Sequence, residues 1–147
     1  MAFTGNYVCN NFKLGLAKAV HDFTASTGHV FRIALYTSSA TMNAGTGSYT
    51  TSGEVATGGG YTASGAVLPV ASGMPVLSGS TVMIDFNDAL WAASTITARG
   101  AMIYNDTASG DPSVVIIDFG VDKSSNVGDF SIIFPSASVT RAVIRIV

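Results

Sequence analysis

Charge is scarce in this chain. Seven Lys or Arg and nine Asp or Glu among 147 residues make only 11% of it charged, against roughly 25% in ordinary soluble proteins. A folded monomer of 15.0 kDa exposes on the order of 7,000 Å², so Ser, Thr and Gly are expected to cover much of the surface. Such a surface gives up little hydration when it meets another protein, which favours a subunit over a freely diffusing enzyme. The net charge of -2 supplies no basic face for phosphates, so nucleic acid is not expected as a partner. One cysteine, Cys9, excludes an internal disulfide and fits a reducing compartment.

Long apolar runs are missing as well. Nothing approaches the roughly 20 consecutive apolar residues of a membrane helix, so no membrane partner is expected and the mean hydropathy of +0.43 belongs to strands. The opening segment MAFTGNYVCNNFK has neither a basic start nor an apolar centre, so no secretory signal is expected, in keeping with a chain made in the cytosol. Helical periodicity occurs once. In Asn10–Phe23 (NNFKLGLAKAVHDF), Phe12, Leu16, Ala19, Val20 and Phe23 recur at helical spacing and Asn10 or Asn11 can cap the start. Gly15 weakens this helix by about 1 kcal/mol relative to Ala.

What is abundant is strand signal. Ile96–Tyr104, Val114–Phe119 and Asp129–Phe134 are short, β-branched and aromatic, and bounded by turn residues. They are expected to form the centre of one antiparallel sheet. His29–Thr37 and Thr81–Asn87 alternate clearly, and Val76–Ser78 is a short strand. Tyr49–Val55 holds a brief strand, and Pro69 confines Tyr61–Val70 to an edge or a bulge. Val139–Val147 (VTRAVIRIV) is a last strand with Ala142, Ile144 and Ile146 facing inward. The fold expected is one all-β domain over 1–147, an antiparallel sandwich or jelly roll, with an extended arm at 1–8, a helix at 10–23 and strands over 29–147.

Catalytic signatures are missing too, and no catalytic, cofactor-binding or metal-binding residue is assigned. His21 and His29 flank the helix-to-strand connection, but a metal pair needs two further ligands, so a structural or solvent role is expected. Cys9 reads as a small buried hydrophobe. Gly58–Gly60 is a turn, because no Lys-Ser or Lys-Thr and no helix follows it. The run Asp118–Asp129 (DFGVDKSSNVGD) offers oxygen ligands that suit calcium, although EF-hand spacing is absent. Its plainer reading has Asp122 and Asn126 stabilising turns through their own backbone. Among the other aspartates, Asp88, Asp106 and Asp111 lie in loops. Asp85 and Asp118 sit within apolar strands and either point outward or pair with an arginine such as Arg99.

Four runs read together: FRIALYTSSA (Phe31–Ala40), YTTSGEVATGGGYTASGAVL (Tyr49–Leu68), WAASTITARGAMIYND (Trp91–Asp106) and VVIIDFGVDKSSNVGDFSIIFP (Val114–Pro135). In that order they resemble a family of small virion proteins of tailed bacteriophages, and the likeness covers about two thirds of the chain. The N-terminal arm and helix and the strand VTRAVIRIV match the family pattern less clearly. The resemblance implies a structural subunit of the virion, a capsid decoration or cement protein whose partners are the major capsid protein and copies of itself, as a dimer or trimer. No catalytic residues and no cofactor come with it. The arm Met1–Tyr7 and the strand Val139–Val147 are the expected contact segments. Two alternatives stay open: a tail tube, tip or fibre component, and a host-glycan adhesion module. For the latter, Tyr36, Tyr49, Tyr61, Trp91 and Tyr104 supply stacking faces, with Tyr49 and Tyr61 expected to be the exposed ones and Trp91 and Tyr104 expected to pack in the core.

Overall fold

A long antiparallel hairpin that turns a corner organises the molecule. Its first arm is β6 (Ala89–Ser94) followed by β7 (Thr97–Asn105), and its second is β8 (Ser113–Ser124) followed by β9 (Gly128–Ile132). Trp91 lies opposite Phe130 on one side of the corner and Thr97 opposite Ser124 on the other. These two pairs share one offset across the corner, with register shifts between Trp91 and Ser94 and between Ala98 and Gly100, so one hairpin is shared between two sheets. These statements, like those below, come from a computed structural model that describes residues 3–147, so Met1 and Ala2 of the expected arm lie outside the described residues.

The remaining elements are β1 (Tyr7–Val8), α1 (Asn10–Ala17), β2 (Phe31–Tyr36), β3 (Ala66–Val67), β4 (Val76–Ser78), β5 (Thr81–Ile84) and β10 (Ile144–Ile146). A five-stranded sheet runs β1-β8-β7-β2-β3, a three-stranded sheet β10-β5-β4, and β6 pairs with β9; every strand pairing is antiparallel. The all-β antiparallel reading with one short helix is what the chain adopts. The expected central trio is corrected in one member: β9 leaves the main sheet at the corner and pairs with β6. The strand β6, which contains Trp91, was read only as the surroundings of a core anchor.

The main sheet is covered on both faces, which is why β2, β7 and the start of β8 are apolar runs with little alternation. Phe31 on one face of β2 stacks on Phe23 at 4.4 Å and meets Phe86 edge-on. On the other face Tyr104 stacks on Tyr49 at 4.7 Å. One core cluster runs from Phe3 to Ile144 and holds Phe12, Leu35, Met102, Ile116 and Trp91.

Several boundaries differ from the sequence reading for identifiable reasons. The helix ends at Ala17, six residues early. Ala19 turns left-handed (φ 54°), and the Val20 and Ala19 amides donate back to the Gly15 and Leu16 carbonyls, the bonding of a Schellman stop. Phe23 still reaches the core, but from the connector. Neither asparagine caps the helix: Cys9 holds the cap position, the Asn10 amide donates to Ala44, and the Asn11 side chain donates to Gly47. Gly15 is required by packing, since a Cβ there would stand 2.6 Å from His21 Nε2. Tyr49–Val55 makes only a single bridge, Glu54 to Tyr36. Tyr61–Val70 shrinks to the edge strand β3, as Pro69 demands.

Both chain ends also depart from expectation. The described part of the arm is folded against its own body. Phe3 is buried and bridges to Met42, Asn6 Oδ1 accepts the Asp118 amide, and Tyr7–Val8 pair with β8. The last strand keeps only Ile144–Ile146, because residues 138–141 close a turn through paired Ser138 and Arg141 backbone bonds. Ile144 is buried, but Ile146 is 43% exposed rather than inward-facing.

Candidate functional site

Glu54, the only glutamate in the chain, organises the loop that covers β2. Its Oε2 accepts the Tyr49 hydroxyl at 2.7 Å, and its Oε1 accepts the Tyr61 hydroxyl and the Ser64 amide, both at 2.7 Å. Tyr61 in turn accepts the Leu35 amide of β2. Tyr36 and Tyr104 donate to the Thr50 and Ser64 carbonyls. Arg32 donates to the Ser64 and Gly65 carbonyls at 3.2 and 2.9 Å. Burial raises all four tyrosines, and Tyr104 is pushed up to about 12. The cluster is a clamp built from neutral phenols on one carboxylate.

This clamp corrects the reading of the aromatics. Tyr61 is 2% exposed, Tyr36, Tyr104 and Trp91 are buried, and Tyr49 is half-buried with a face stacked on Tyr104. The two tyrosines expected to be exposed are the ones Glu54 holds.

The two histidines come together, and the residue that joins them was not anticipated. Asn105, at the end of β7, is fully buried. Its Oδ1 accepts the Thr107 and Ala108 amides, both at 3.1 Å. That fixes the other atom as NH2, whose two protons point at His21 Nδ1 (3.0 Å) and His29 Nδ1 (2.9 Å). Both rings accept through Nδ1, so in this arrangement both are neutral and carry their proton on Nε2. His21 Nε2 is buried without a hydrogen-bond partner and abuts α1, with the ring 5.1 Å from that of Phe12. Burial, followed by the charge of His29, lowers the His21 pKa. In sequence the only signal for this role is an amide placed directly after an apolar strand, in IYNDT.

The remaining candidates hold the structure together. Asp118 pairs with Arg99 at 3.1 Å and also accepts the Gly120 amide, a local bond inside β8 where the β7–β8 register shifts, while among the described residues the Asp122 and Asn126 side chains make no turn-closing hydrogen bond. Asp85 is buried, and its carboxylate accepts the Val143 amide, neither pointing outward nor pairing with arginine. Asp88 accepts the Phe134 amide and Asp129 the Ala93 amide. Asp106 stands 4.0 Å from Arg32, and the Asp111 carbonyl accepts the Tyr49 amide. Among the described residues no three His, Cys, Asp or Glu side chains are grouped to hold a metal ion. Cys9 is buried, and burial raises its thiol pKa. Gly58–Gly60 form the expected turn, all at positive φ. Gly59 and Gly60 press onto Thr95 and Ser94 at the hairpin corner.

One apolar surface feature lies beside that corner. An apolar groove of about 510 Å³ lies between the two arms of the second hairpin strand, walled by Ile117, Phe119, Phe130, Ile132, Ile133 and Phe134, with Lys123 and Asp129 also in its lining. Exposed apolar residues lie on the same strand: Val121 (58%), Val127 (79%) and Ile133 (75%). The corner itself is rigidly tied. Ser94 Oγ and Ser125 Oγ are 2.8 Å apart, Ser125 N donates to the Ile96 carbonyl, and Val127 N donates to Thr95 Oγ1. A mostly apolar concavity on a tied strand pair, with one lysine and one aspartate in its lining, suits binding another polypeptide.

Among known proteins, no family model, no curated protein and no solved structure matches the chain. The runs Phe31–Ala40, Tyr49–Leu68, Trp91–Asp106 and Val114–Pro135 form β2, the Glu54 loop and the two arms of the bent hairpin, which pack on one another.

Proposed function

We propose that this chain is a structural protein of a tailed-bacteriophage virion, a decoration or cement subunit that stabilises the head by contacts with the major capsid protein and with copies of itself. The observation that carries this reading is the groove beside the hairpin corner, with the exposed Ile133 in its wall, on a surface with few charges to desolvate. Covering several hundred Å² of apolar surface contributes several kcal/mol at about 25 cal/mol per Å², before the cost of association is subtracted. Shell symmetry repeats that contact over the particle. The reading needs no catalytic group.

The test is quantitative densitometry of purified particles combined with Ile133→Asp, a change at an exposed site that leaves the core intact. Wild-type protein is expected at a copy number set by the shell's symmetry, and particles carrying it should retain DNA to higher temperature. Ile133→Asp should fold normally and fail to bind. A small copy number fixed by tail symmetry, or undiminished binding of Ile133→Asp, would overturn the proposal.

A further inference from the structure

The connector between α1 and β2, residues 18–30, is attached to the rest of the molecule by few bonds. Phe23 stacks on Phe31, the Ala25 amide donates to Met74, and the Val30 amide donates to Thr107 Oγ1. The Asp106 amide donates to the Val30 carbonyl, Phe23 also meets Phe12 and Phe86 edge-on, and the Asn105 amide grips one histidine near each end of the connector. We infer that the His21–Asn105–His29 junction is an acid-sensitive latch that holds the connector closed at neutral pH and releases it when the His21 imidazole takes a second proton.

The argument is one of proton counting. Asn105 Oδ1 already accepts two backbone amides, so the side chain cannot flip to offer an acceptor without stranding two buried donors. A protonated imidazole carries N–H on both nitrogens. Protonation would therefore set an Nδ1–H against an NH2 group, losing the bond and opposing two donors in a site with no water-exposed alternative for Asn105. His21 offers no relief on its other side, because Nε2–H is buried against Gly15.

The charged surroundings do not compensate. Lys18, at the helix end, lines the same small cavity as His21 and opposes a second positive charge there. Asp22 lies near enough to His29 to interact with its charge, yet its Oδ1 is bonded to the Thr24 amide. Asp106 follows Asn105 and is paired with Arg32. Burial already lowers the His21 pKa, so as pH falls the unfolded or released chain takes up the proton first. Stability is complete above the ordinary histidine value and is lost as pH falls below it. The connector also walls a cleft of about 320 Å³ lined by Thr24, His29, Phe31 and Leu68, so release opens that cleft and uncovers Phe23.

The chain has only two histidines, so ¹⁵N NMR of the intact wild-type protein reads both rings directly. Expected at neutral pH are an unprotonated Nδ1 and a protonated Nε2 on each. Between about pH 7 and about pH 5, hydrogen-exchange protection of the connector amides should fall by up to about 30-fold for His21 beyond the intrinsic rate change, the limit set by an ordinary value near 6.5. In Asn105→Asp the carboxylate keeps the two backbone bonds and welcomes an Nδ1–H, so His21 should protonate at higher pH and the acid loosening should disappear. An Nδ1–H tautomer on either ring at neutral pH would overturn the latch. So would a connector whose protection is unchanged at acid pH, and these wild-type readouts stand even if the variant does not fold. Acid loosening that persists unaltered in a folded Asn105→Asp protein would also overturn it.

Discussion

Replacing Glu54 with alanine removes the acceptor of three hydrogen bonds, each 2.7 Å long. Bonds to a charged acceptor contribute about 1.5–3 kcal/mol each when the partner is left buried. Tyr49 is half-buried and can turn its hydroxyl to water, so its share is small. Tyr61 and the Ser64 amide have no such escape: Tyr61 is almost wholly buried, and its oxygen is already committed to the Leu35 amide. The expected loss is about 3 kcal/mol, within a range of roughly 2–5, or a fall of roughly 10 °C in Tm for a domain of this size. Urea unfolding followed by circular dichroism measures it, with the m-value unchanged. Glu54→Gln retains one acceptor oxygen and should cost about half as much. A loss below about 1 kcal/mol for the alanine variant, or a glutamine variant as damaged as the alanine one, would refute the clamp.

Two further outcomes follow from features of the same kind. Tyr36, Tyr49, Tyr61 and Tyr104 are raised above the free phenol by burial, so the unfolded chain loses protons first and stability falls as pH rises past the ordinary value near 10; ultraviolet titration should show these four ionising together with unfolding, and gradual ionisation in the folded state would contradict the packing. Ala19 occupies the left-handed position that ends α1; Ala19→Gly removes a penalty of about 1–2 kcal/mol, partly offset by the freer unfolded chain, so chemical denaturation should show a net gain of about 0.5–1 kcal/mol.

The strand content was readable from β-branched and aromatic runs, and the confinement of Tyr61–Val70 to an edge followed from Pro69. What could not be read was partnership. DFSIIF carries the same composition whether it continues the main sheet or crosses a corner to pair with ALWAAS, and the deciding contacts are serine and threonine hydroxyls at positions 94, 95 and 125. The helix was overextended because Val20 and Phe23 keep helical spacing while belonging to a connector that reaches the same core by another path. Here tertiary packing overrode periodicity. Arg99 with Asp118 was among the pairings weighed and is formed. Glu54 and Asn105 were missed because a lone polar residue in a turn carries no periodic signal. The rarity of glutamate in this chain was the available clue. Tyr49 and Tyr61 were assigned to solvent for their glycine-rich neighbourhood, but those glycines let the loop approach the strands closely enough to bury the rings.

The shared hairpin has a mechanical meaning. With the same two strands threading both sheets, a pull on the outer tip cannot peel the small ribbon away as a separate flap; the load passes round the serine-tied bend into the backbone bonds of the five-stranded layer. A one-residue insertion beside the bend would also be felt beyond it, since it would turn Phe130 from the interior toward water while leaving the upstream pairing intact. The tip is thus built to bear strain from whatever grips it, and to tolerate little change in length.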